Sequence, residues 1–178
     1  MRITISGTPG SGKSVVSKYL SKKLKLKYYT IGELMRDFAK KKKLDLIELG
    51  NLMESNKKLD KKFNESIKKL NKKDNFILDS RLGFFFIKKG IHIFLDADLD
   101  LRAKRIFKDK RKLENFKTIR DVKDEINKRF LSERRRFKKL YNLDFTNLKH
   151  YNLVINTTRM DVGVIYKIIL KYLKKNDI

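Results

Sequence analysis

The chain has 178 residues, which suffices for one compact domain with its own core, and we predict a single domain over 1–178. Its 46 Lys and Arg residues outnumber 21 Asp and Glu residues, and the resulting formal charge of +25 would attract polyanions, a nucleotide included. It contains no cysteine, which excludes disulfides, thiolate zinc sites and a thiol nucleophile.

The N-terminal part predicts a strand, a glycine loop and a helix in direct succession. The run "RITIS" is mostly β-branched and suits a buried strand, and from Lys13 onward apolar residues recur at helical spacing. The run "KYYTIG" predicts a second strand that ends in a turn. Residues from about Glu33 to Asn71 predict several helices with a break near Ser55.

The remaining chain alternates strands with helices. "NFILDS" and "IHIFLDAD" predict central strands, and a helix is expected from Leu99 to about Lys108 with Asp98 as its cap. A long basic helix follows from about Ile119 to Tyr141, then the strand "YNLVINTT" and the amphipathic helix "VGVIYKIILKYLKK". This alternation predicts a three-layer α/β fold with a central parallel sheet of about five strands. Helical insertions are expected at about 30–72 and 109–141.

The loop after the first strand carries the pattern G-x-x-x-x-G-K-[ST] between a predicted strand and a predicted helix. Glycines let the backbone curl so that its N–H groups point at phosphate oxygens beside a helix N-terminus. The pattern predicts a P-loop NTPase fold that binds a nucleoside triphosphate. Its candidate binding residues are Gly7, Thr8, Pro9, Gly10, Ser11, Gly12, Lys13 and Ser14.

Two oxygen-bearing residues are candidates for holding Mg²⁺, the cofactor that we expect to arrive with ATP. The Ser14 hydroxyl follows the lysine that reaches the β- and γ-phosphates. Asp79 ends the predicted strand "NFILD", where a carboxylate can hold the ion directly or through water. The alternative for Asp79 is a residue of the strand-end turn.

Four arginines are candidates for contacts with phosphate groups. Arg36 follows the second predicted strand, Arg81 follows "NFILDS", and Arg129 and Arg136 are seven apart on one helix face. An acceptor that is already ionised, such as a monophosphate, needs arginines to align two polyanions, whereas a hydroxyl acceptor needs a carboxylate base. A solvated surface remains the alternative for these arginines, above all for Arg129 and Arg136.

These segments together resemble the archaeal-type cytidylate kinases, a family of adenylate-kinase-like nucleoside-monophosphate kinases. The phosphate loop is generic, but "TIGELMR" and "LDSRLGFFF" are similar to segments typical of the family. The most specific likeness is the nearly gap-free run "RFLSERRRFKKLYNLDFTNLKHYNLVINTT". The resemblance covers the whole chain and implies transfer of the ATP γ-phosphoryl group to CMP, with dCMP as a second candidate acceptor.

The resemblance also implies roles for individual residues. Arg36 and Arg81 would bind the monophosphate, together with Thr30 and Gly32 of the "TIGELMR" segment. Three residues would be catalytic, and two residues after the last strand would lie near the donor base. The catalytic residues are Lys13, Arg129 and Arg136, and the base-side residues are Thr157 and Thr158.

The chain departs from the family pattern at several positions. Phe130 and Phe137 stand where the family has Glu and Tyr, and Ser80 stands where it has Gly. An Arg-Glu pair after "LRAKRIFK" is replaced by Asp109-Lys110, so that a donor-side arginine is absent there unless Arg111 replaces it. Two further residues are candidates for reading the cytosine base. They are Asp60 and Asn64.

Two other functions remain open at this point. One is a kinase for AMP or UMP, and the other is a P-loop ATPase associated with RNA or the ribosome, which would use the charge. The charge permits nucleic-acid binding, although no motif predicts it. We expect ATP and CMP as partners, a monomer and a cytoplasmic location. No membrane span is expected, because Lys88 and Lys89 interrupt the longest apolar run.

Overall fold

A computed structural model describes residues 1–109 and 116–177. Its core is one five-stranded sheet in which every neighbouring pair runs parallel. The strand order is β2-β3-β1-β4-β5. The strands are β1 (Arg2–Gly7), β2 (Lys27–Thr30), β3 (Phe76–Asp79), β4 (Ile91–Asp96) and β5 (Leu153–Asn156).

Helices connect the strands and cover both faces of the sheet. Short 3-10 helices span Leu70–Lys72 and Leu148–His150. In the described part of the chain the α-helices are α1 (Lys13–Leu24), α2 (Ile31–Lys42), α3 (Leu46–Ser55), α4 (Lys57–Lys69), α5 (Gly83–Phe86), α6 (Leu99–Lys108), α7 (Ile119–Tyr141) and α8 (Val162–Lys175).

Side chains alternate between the two faces of the sheet, and each face has its own core. In β3, Ile77 packs on the face covered by α1 and α8, whereas Phe76 and Leu78 pack on the opposite face with α4, α5 and α7. Both faces are therefore buried, as a parallel sheet requires. This arrangement is the three-layer α/β fold predicted from the sequence.

The helices outside these layers have smaller cores of their own. Helices α2, α3 and α4 pack around the buried residues Ala39, Leu49 and Met53. Helix α3 begins at a capping box in which the Asp45 side chain accepts from the backbone of Glu48. Helix α7 has a similar start at Thr118 and runs from α6 across to α3 and α4.

The carboxyl ends of the strands meet at one edge of the sheet. The register pairs Asp79 with Ile5 and with Thr30, and pairs Asp96 with Asn156. The loop that leaves β1 therefore emerges beside the residues that follow β3, β4 and β5. Ligands of open α/β sheets bind at this edge.

Two local expectations need correction. Helix α2 begins at Ile31 directly after β2, so that Gly32 lies in its first turn and no separate turn follows the strand. Asp98 precedes α6 as predicted, but its side chain makes no capping hydrogen bond. In the described residues, the helices are all too short or too polar to cross a membrane.

Candidate active site

The phosphate loop (Gly7–Ser14) joins the end of β1 to the start of α1. Gly10 and Gly12 have φ angles of 80° and 93°, the left-handed region that favours glycine. A Cβ on Gly7, whose φ is 143°, would lie 1.9 Å from the carbonyl oxygen of Leu95. Thr8 secures the start of the loop, since its backbone N–H donates to Leu95 O at 3.2 Å. The predicted strand–loop–helix setting of this motif is therefore present.

Lys13 curls back over the loop. Its Nζ donates to the carbonyl oxygen of Thr8 at 2.8 Å. Burial and the charge of Arg81 lower the pKa of Lys13 well below its usual value. An anion bound in the loop would offset both effects, because it favours the charged ammonium group. The site thus has the electrostatic properties of a binding site for phosphate.

Ser14 and Asp79 lie side by side, as the candidates for a magnesium site should. The Ser14 hydroxyl donates to Asp79 Oδ2 at 2.6 Å. Burial and the charge of Asp79 raise the pKa of the neighbouring Tyr28 to about 12. The hydroxyl and carboxylate oxygens fit Mg²⁺, which binds through a few hard oxygen ligands together with substrate phosphates. Among residues 1–109 and 116–177, no cluster of three or more His, Asp or Glu side chains forms a separate metal cage.

A buried ion network connects the phosphate loop to α7. Arg81 Nε donates to Glu133 Oε2, and Arg81 Nη1 donates to the carbonyl oxygen of Gly7 at 2.8 Å. Arg129 Nε donates to the other carboxylate oxygen of Glu133 at 3.2 Å. Burial alone would raise the pKa of Glu133, but Arg81 and Arg129 outweigh it and lower this pKa to about 2. Glu133 therefore stays ionised and holds two of the predicted arginines together.

Arg136 lies further along the same face of α7 and forms a second buried pair. Its Nε is 3.6 Å from Asp60 Oδ1, and the two side chains are only 4% and 2% exposed. Burial lowers the pKa of Arg136, whereas the charges of Glu133 and Asp60 raise it. The alternative that Arg129 and Arg136 form a solvated surface is wrong for Arg136, since it is buried at the cleft.

Three predicted residues lie where β2 passes into α2. The Arg36 guanidinium folds back over Gly32. A Cβ added to Gly32 would lie only 3.4 Å from Arg36 Nη1. Within the described chain, Arg36 has neither an ion pair nor a hydrogen-bond partner. The Thr30 hydroxyl is buried and also makes no hydrogen bond there. Arg36 and Gly32 line the cleft and are accessible to a ligand there, whereas the Thr30 hydroxyl is sealed from solvent and Thr30 does not line the cleft.

The loop after β5 contacts the phosphate loop from the other side. The Thr157 hydroxyl donates to Ser11 O at 2.9 Å, and Thr158 Oγ1 accepts from the backbone of Asp98. Arg105 of α6 donates to Thr157 Oγ1 at 3.0 Å and to Thr157 O at 2.9 Å. Arg105 therefore contacts one of the predicted base-side residues, whereas the sequence indicated a candidate donor-side arginine only at 109–111. Lys110 and Arg111 lie outside the described residues.

Most of these groups border one cleft of about 790 Å³, but Gly7, Thr8, Thr30, Thr157 and Thr158 do not line it. The phosphate loop, Arg105 and Val162 form one side, and α2, α4 and α7 form the other. The four predicted arginines, Arg36, Arg81, Arg129 and Arg136, all line it. Asp60 and Asn64 line it as well, so the two candidates for base recognition lie within the same cavity as the phosphate loop.

Sequence reasoning missed Arg105 and Glu133. A signal existed for Glu133, which lies four residues after Arg129 and three before Arg136, on their helix face. Arg105 sits one helical turn after Arg102 in the helix that follows β4, near the sheet edge where ligands bind. No local pattern separates Arg105 from the other charged residues of α6.

The family departures on α7 have a packing explanation. Phe137 is 3% exposed and packs edge-to-face on Phe145, and Phe130 contacts the same ring. Ser80 is buried, and its backbone N–H donates to Ile5 O at 3.2 Å. In this chain the two aromatic substitutions contribute to the core beneath the cleft.

Together with the phosphate loop, this architecture is a three-layer α/β P-loop fold, and solved structures share it. Shikimate kinase from Acinetobacter baumannii superposes with a TM-score of 0.63 at 16% identity, covering 98% of this chain and 93% of that one. Shikimate kinase from Aquifex aeolicus gives a TM-score of 0.56 at 21% identity, covering 99% and 98% of the two chains. At such low identity, the likeness concerns the fold alone.

Sequence comparison then identifies the family. Residues 2–159 match the cytidylate kinase-like family, and the chain belongs to it. A cytidylate kinase of Sulfolobus acidocaldarius is 38% identical over 100% of this chain and 97% of that protein. Another, from Archaeoglobus fulgidus, is 34% identical over 96% and 93% of the two chains. The family resemblance stated from the motifs is confirmed.

Proposed function

We propose that this protein transfers the γ-phosphoryl group of MgATP to CMP, giving ADP and CDP, with dCMP as a second acceptor. The observation that carries the proposal is the arrangement of four arginines around one cleft with an intact phosphate loop. The bond between the γ-phosphorus and the ADP oxygen breaks as a phosphate oxygen of CMP bonds to the same phosphorus. Membership of the cytidylate kinase-like family supports CMP over AMP or UMP.

The state of three carboxylates in the cleft supports a phosphate acceptor rather than a hydroxyl acceptor. Asp79 accepts a hydrogen bond from Ser14, and Asp60 lies beside Arg136. Glu133 pairs with Arg81 and Arg129, which hold its pKa at about 2. A general base needs a pKa near the working pH, so Glu133 is unsuited to deprotonating a hydroxyl. The phosphate of CMP is already ionised and needs no base.

We assign roles from these positions. Lys13 and the loop N–H groups would bind the β- and γ-phosphates of ATP, and Thr157 and Thr158 would lie near its base. Ser14 and Asp79 would hold Mg²⁺, which neutralises phosphate charge when it is bound. Arg36 and Arg81, with Thr30 and Gly32, would bind the phosphate of CMP.

Arg129 and Arg136 would stabilise the charge on the transferring group. In this assignment 30–72 forms the acceptor-binding insertion and 109–141 forms the covering region, within one domain of 1–178. We further propose that the enzyme works as a monomer in the cytoplasm.

The test is ADP release from MgATP with CMP, dCMP, UMP, AMP or GMP supplied separately at physiological salt. We expect a large stimulation by CMP over UMP and AMP. A Lys13→Ala preparation is the control for contaminating kinases. Stimulation by AMP alone would keep the chemistry and refute the acceptor, whereas stimulation by RNA and by none of the monophosphates would refute the proposal.

A further inference from the structure

The side-chain amide of Asn64 is held in one orientation between α4 and α7. Its Nδ2 donates to Asp60 Oδ2 at 2.8 Å, to Asp60 O at 3.0 Å and to Tyr141 Oη at 2.7 Å. The Tyr141 hydroxyl in turn donates to Asp60 Oδ2. A flipped amide would place its oxygen against the carboxylate and the carbonyl of Asp60, where lone pairs repel. The network therefore fixes which end of the amide is a donor to the protein.

This arrangement leaves the amide oxygen of Asn64 for the cleft. Within the described residues, Oδ1 accepts no hydrogen bond, and it is not among the polar atoms sealed from solvent. Asn64 lines the cleft beside the apolar side chains of Phe63 and Met53. The α2–α4 side of the cleft thus presents a hydrogen-bond acceptor of fixed orientation among apolar groups.

The other polar groups nearby are committed to each other. Arg136 lies beside Asp60, its Nη1 lies 3.6 Å from Met53 Sδ, and its Nε is sealed from solvent. Asp60 Oδ1 is likewise sealed, so it offers no contact to a ligand in this conformation. Burial and the bond to Asp60 raise the pKa of Tyr141, which therefore remains a neutral hydroxyl. Of Asp60 and Asn64, the structure favours Asn64 for direct contact.

We infer that Asn64 is a specificity-determining residue whose amide oxygen accepts a hydrogen bond from the exocyclic amine of cytosine. The inference rests on the proposed function, in which this side of the cleft binds CMP. Cytosine carries an amino donor at the position where uracil carries a carbonyl acceptor. A fixed acceptor favours the first and repels the second, because an oxygen facing an oxygen leaves both unpaired.

The first test compares kcat/KM for CMP and UMP in the wild type and in Asn64→Ala. The two bases have nearly the same size, so their ratio isolates the contact at the exocyclic group. We expect the CMP-to-UMP ratio to fall by about 10- to 100-fold, mainly through loss of CMP activity, while the KM for ATP stays unchanged. An equal loss with both acceptors would overturn the inference, since it would show a purely structural role.

A second variant leaves Asn64 in place and loosens its orientation. Tyr141→Phe removes one acceptor of Nδ2, so the amide is held less tightly, although Asp60 still opposes a full flip. We expect a smaller fall in the ratio, about 3- to 10-fold, mainly through loss of activity with CMP. This variant keeps the inference testable if Asn64→Ala fails to fold, and an unchanged ratio here would then refute it.

Asn71→Ala is the matched control. Asn71 is a partly buried asparagine whose Nδ2 donates to Phe86 O at 2.7 Å, and it does not line the cleft. Its loss should lower stability and leave the ratio unchanged. The wild type separates the two proposals: failure to phosphorylate CMP refutes the function and the inference together. A wild type that prefers CMP, with an unchanged ratio in both variants, refutes the role of Asn64 alone.

Discussion

The two sides of the cleft hold their ligand-facing groups in different ways. The phosphate loop uses the backbone of consecutive residues, and its glycines adopt φ angles that set the directions of the N–H groups. The opposite side, which we call the helical side, consists of α2, α4 and α7. It uses side chains that come from distant parts of the chain and pair with one another, as Arg136 does with Asp60.

This difference corresponds to the two tasks that we propose for the site, which are binding the phosphates of ATP and recognising the acceptor. A backbone loop is already shaped for phosphate and has few ways to rearrange, so it suits a group that every nucleoside triphosphate shares. Side chains on helices depend on their neighbours for position, and Glu133 and Asp60 provide that support on α7 and α4. Such a surface can differ between related kinases, so it suits recognition of the acceptor.

The largest effect is expected on the loop side. Lys13→Ala should lower the rate of phosphoryl transfer by about 1000-fold while the fold stays intact, because the charge next to the transferring group is lost. The measurement is kcat with MgATP and CMP, with circular dichroism to check folding. Lys18→Ala is the control, since Lys18 is exposed on the same helix and pairs with Glu33. Retained transfer in Lys13→Ala would refute the proposed mechanism.

A glycine substitution compares the two sides by stability. Gly7→Ala should lower the free energy of unfolding by about 3 kcal/mol or more, because the new Cβ collides with Leu95 O in a left-handed backbone. Gly32→Ala, on the helical side, should change it by less than about 1 kcal/mol, since its nearest contact would be 3.4 Å from a flexible arginine. Urea unfolding measures both. Equal losses would show that the loop is no more constrained than α2.

Arg81 lies where the two sides meet. Arg81→Ala should raise the KM for CMP by about 30- to 100-fold and raise the KM for ATP far less. The reason is that the variant lacks a guanidinium group that can donate two hydrogen bonds to the acceptor phosphate. Steady-state kinetics with each substrate varied in turn measure this split. Arg134→Ala is the control, since Arg134 is partly exposed and pairs with Asp144. An equal rise for both substrates would place Arg81 outside the acceptor side.

The smallest effect concerns the ion network of the helical side. The pKa of Glu133 is about 2 in the folded protein against a usual 4.5, so its charge stabilises the fold fully above about pH 4.5 and progressively less as the pH falls toward 2. Because the amide keeps an acceptor oxygen for the arginines and loses only the charge, Glu133→Gln should cost about 1 to 2 kcal/mol at pH 7 and less at pH 3. Urea unfolding across this range measures it. A difference that does not vary with pH would exclude the ionised carboxylate as its cause.

The sequence predicted those parts of the protein that depend on neighbouring residues. The strand-loop-helix start follows from β-branched residues, glycines and helical periodicity within about 25 positions, and α7 has its predicted bounds of Ile119 and Tyr141. The third strand, β3, was predictable as a compact apolar run. The family likewise followed from motifs, because each motif is a short contiguous segment.

Local sequence patterns predicted the end of a helix or strand less well where that end depends on the residues that pack against it. The sequence predicted a turn after β2, yet the chain enters α2 at Ile31 because the apolar residues of this helix pack with α3 and α4. Asp98 has the residue type of a helix cap, but its side chain makes no capping hydrogen bond. Its backbone N–H instead donates to the hydroxyl of Thr158, which lies in a loop distant along the chain. Such contacts have no signature in a short window.

The sequence by itself determined the phosphate loop, the order of strands and helices and the family, since each is encoded in residues close along the chain. Only the tertiary structure decided which of the many charged residues act together. Glu133 meets Arg81 across 52 positions, and Asn64 meets Tyr141 across 77. Their partners come from different helices, and burial at the interface makes each bond strong and selects the orientation of each group.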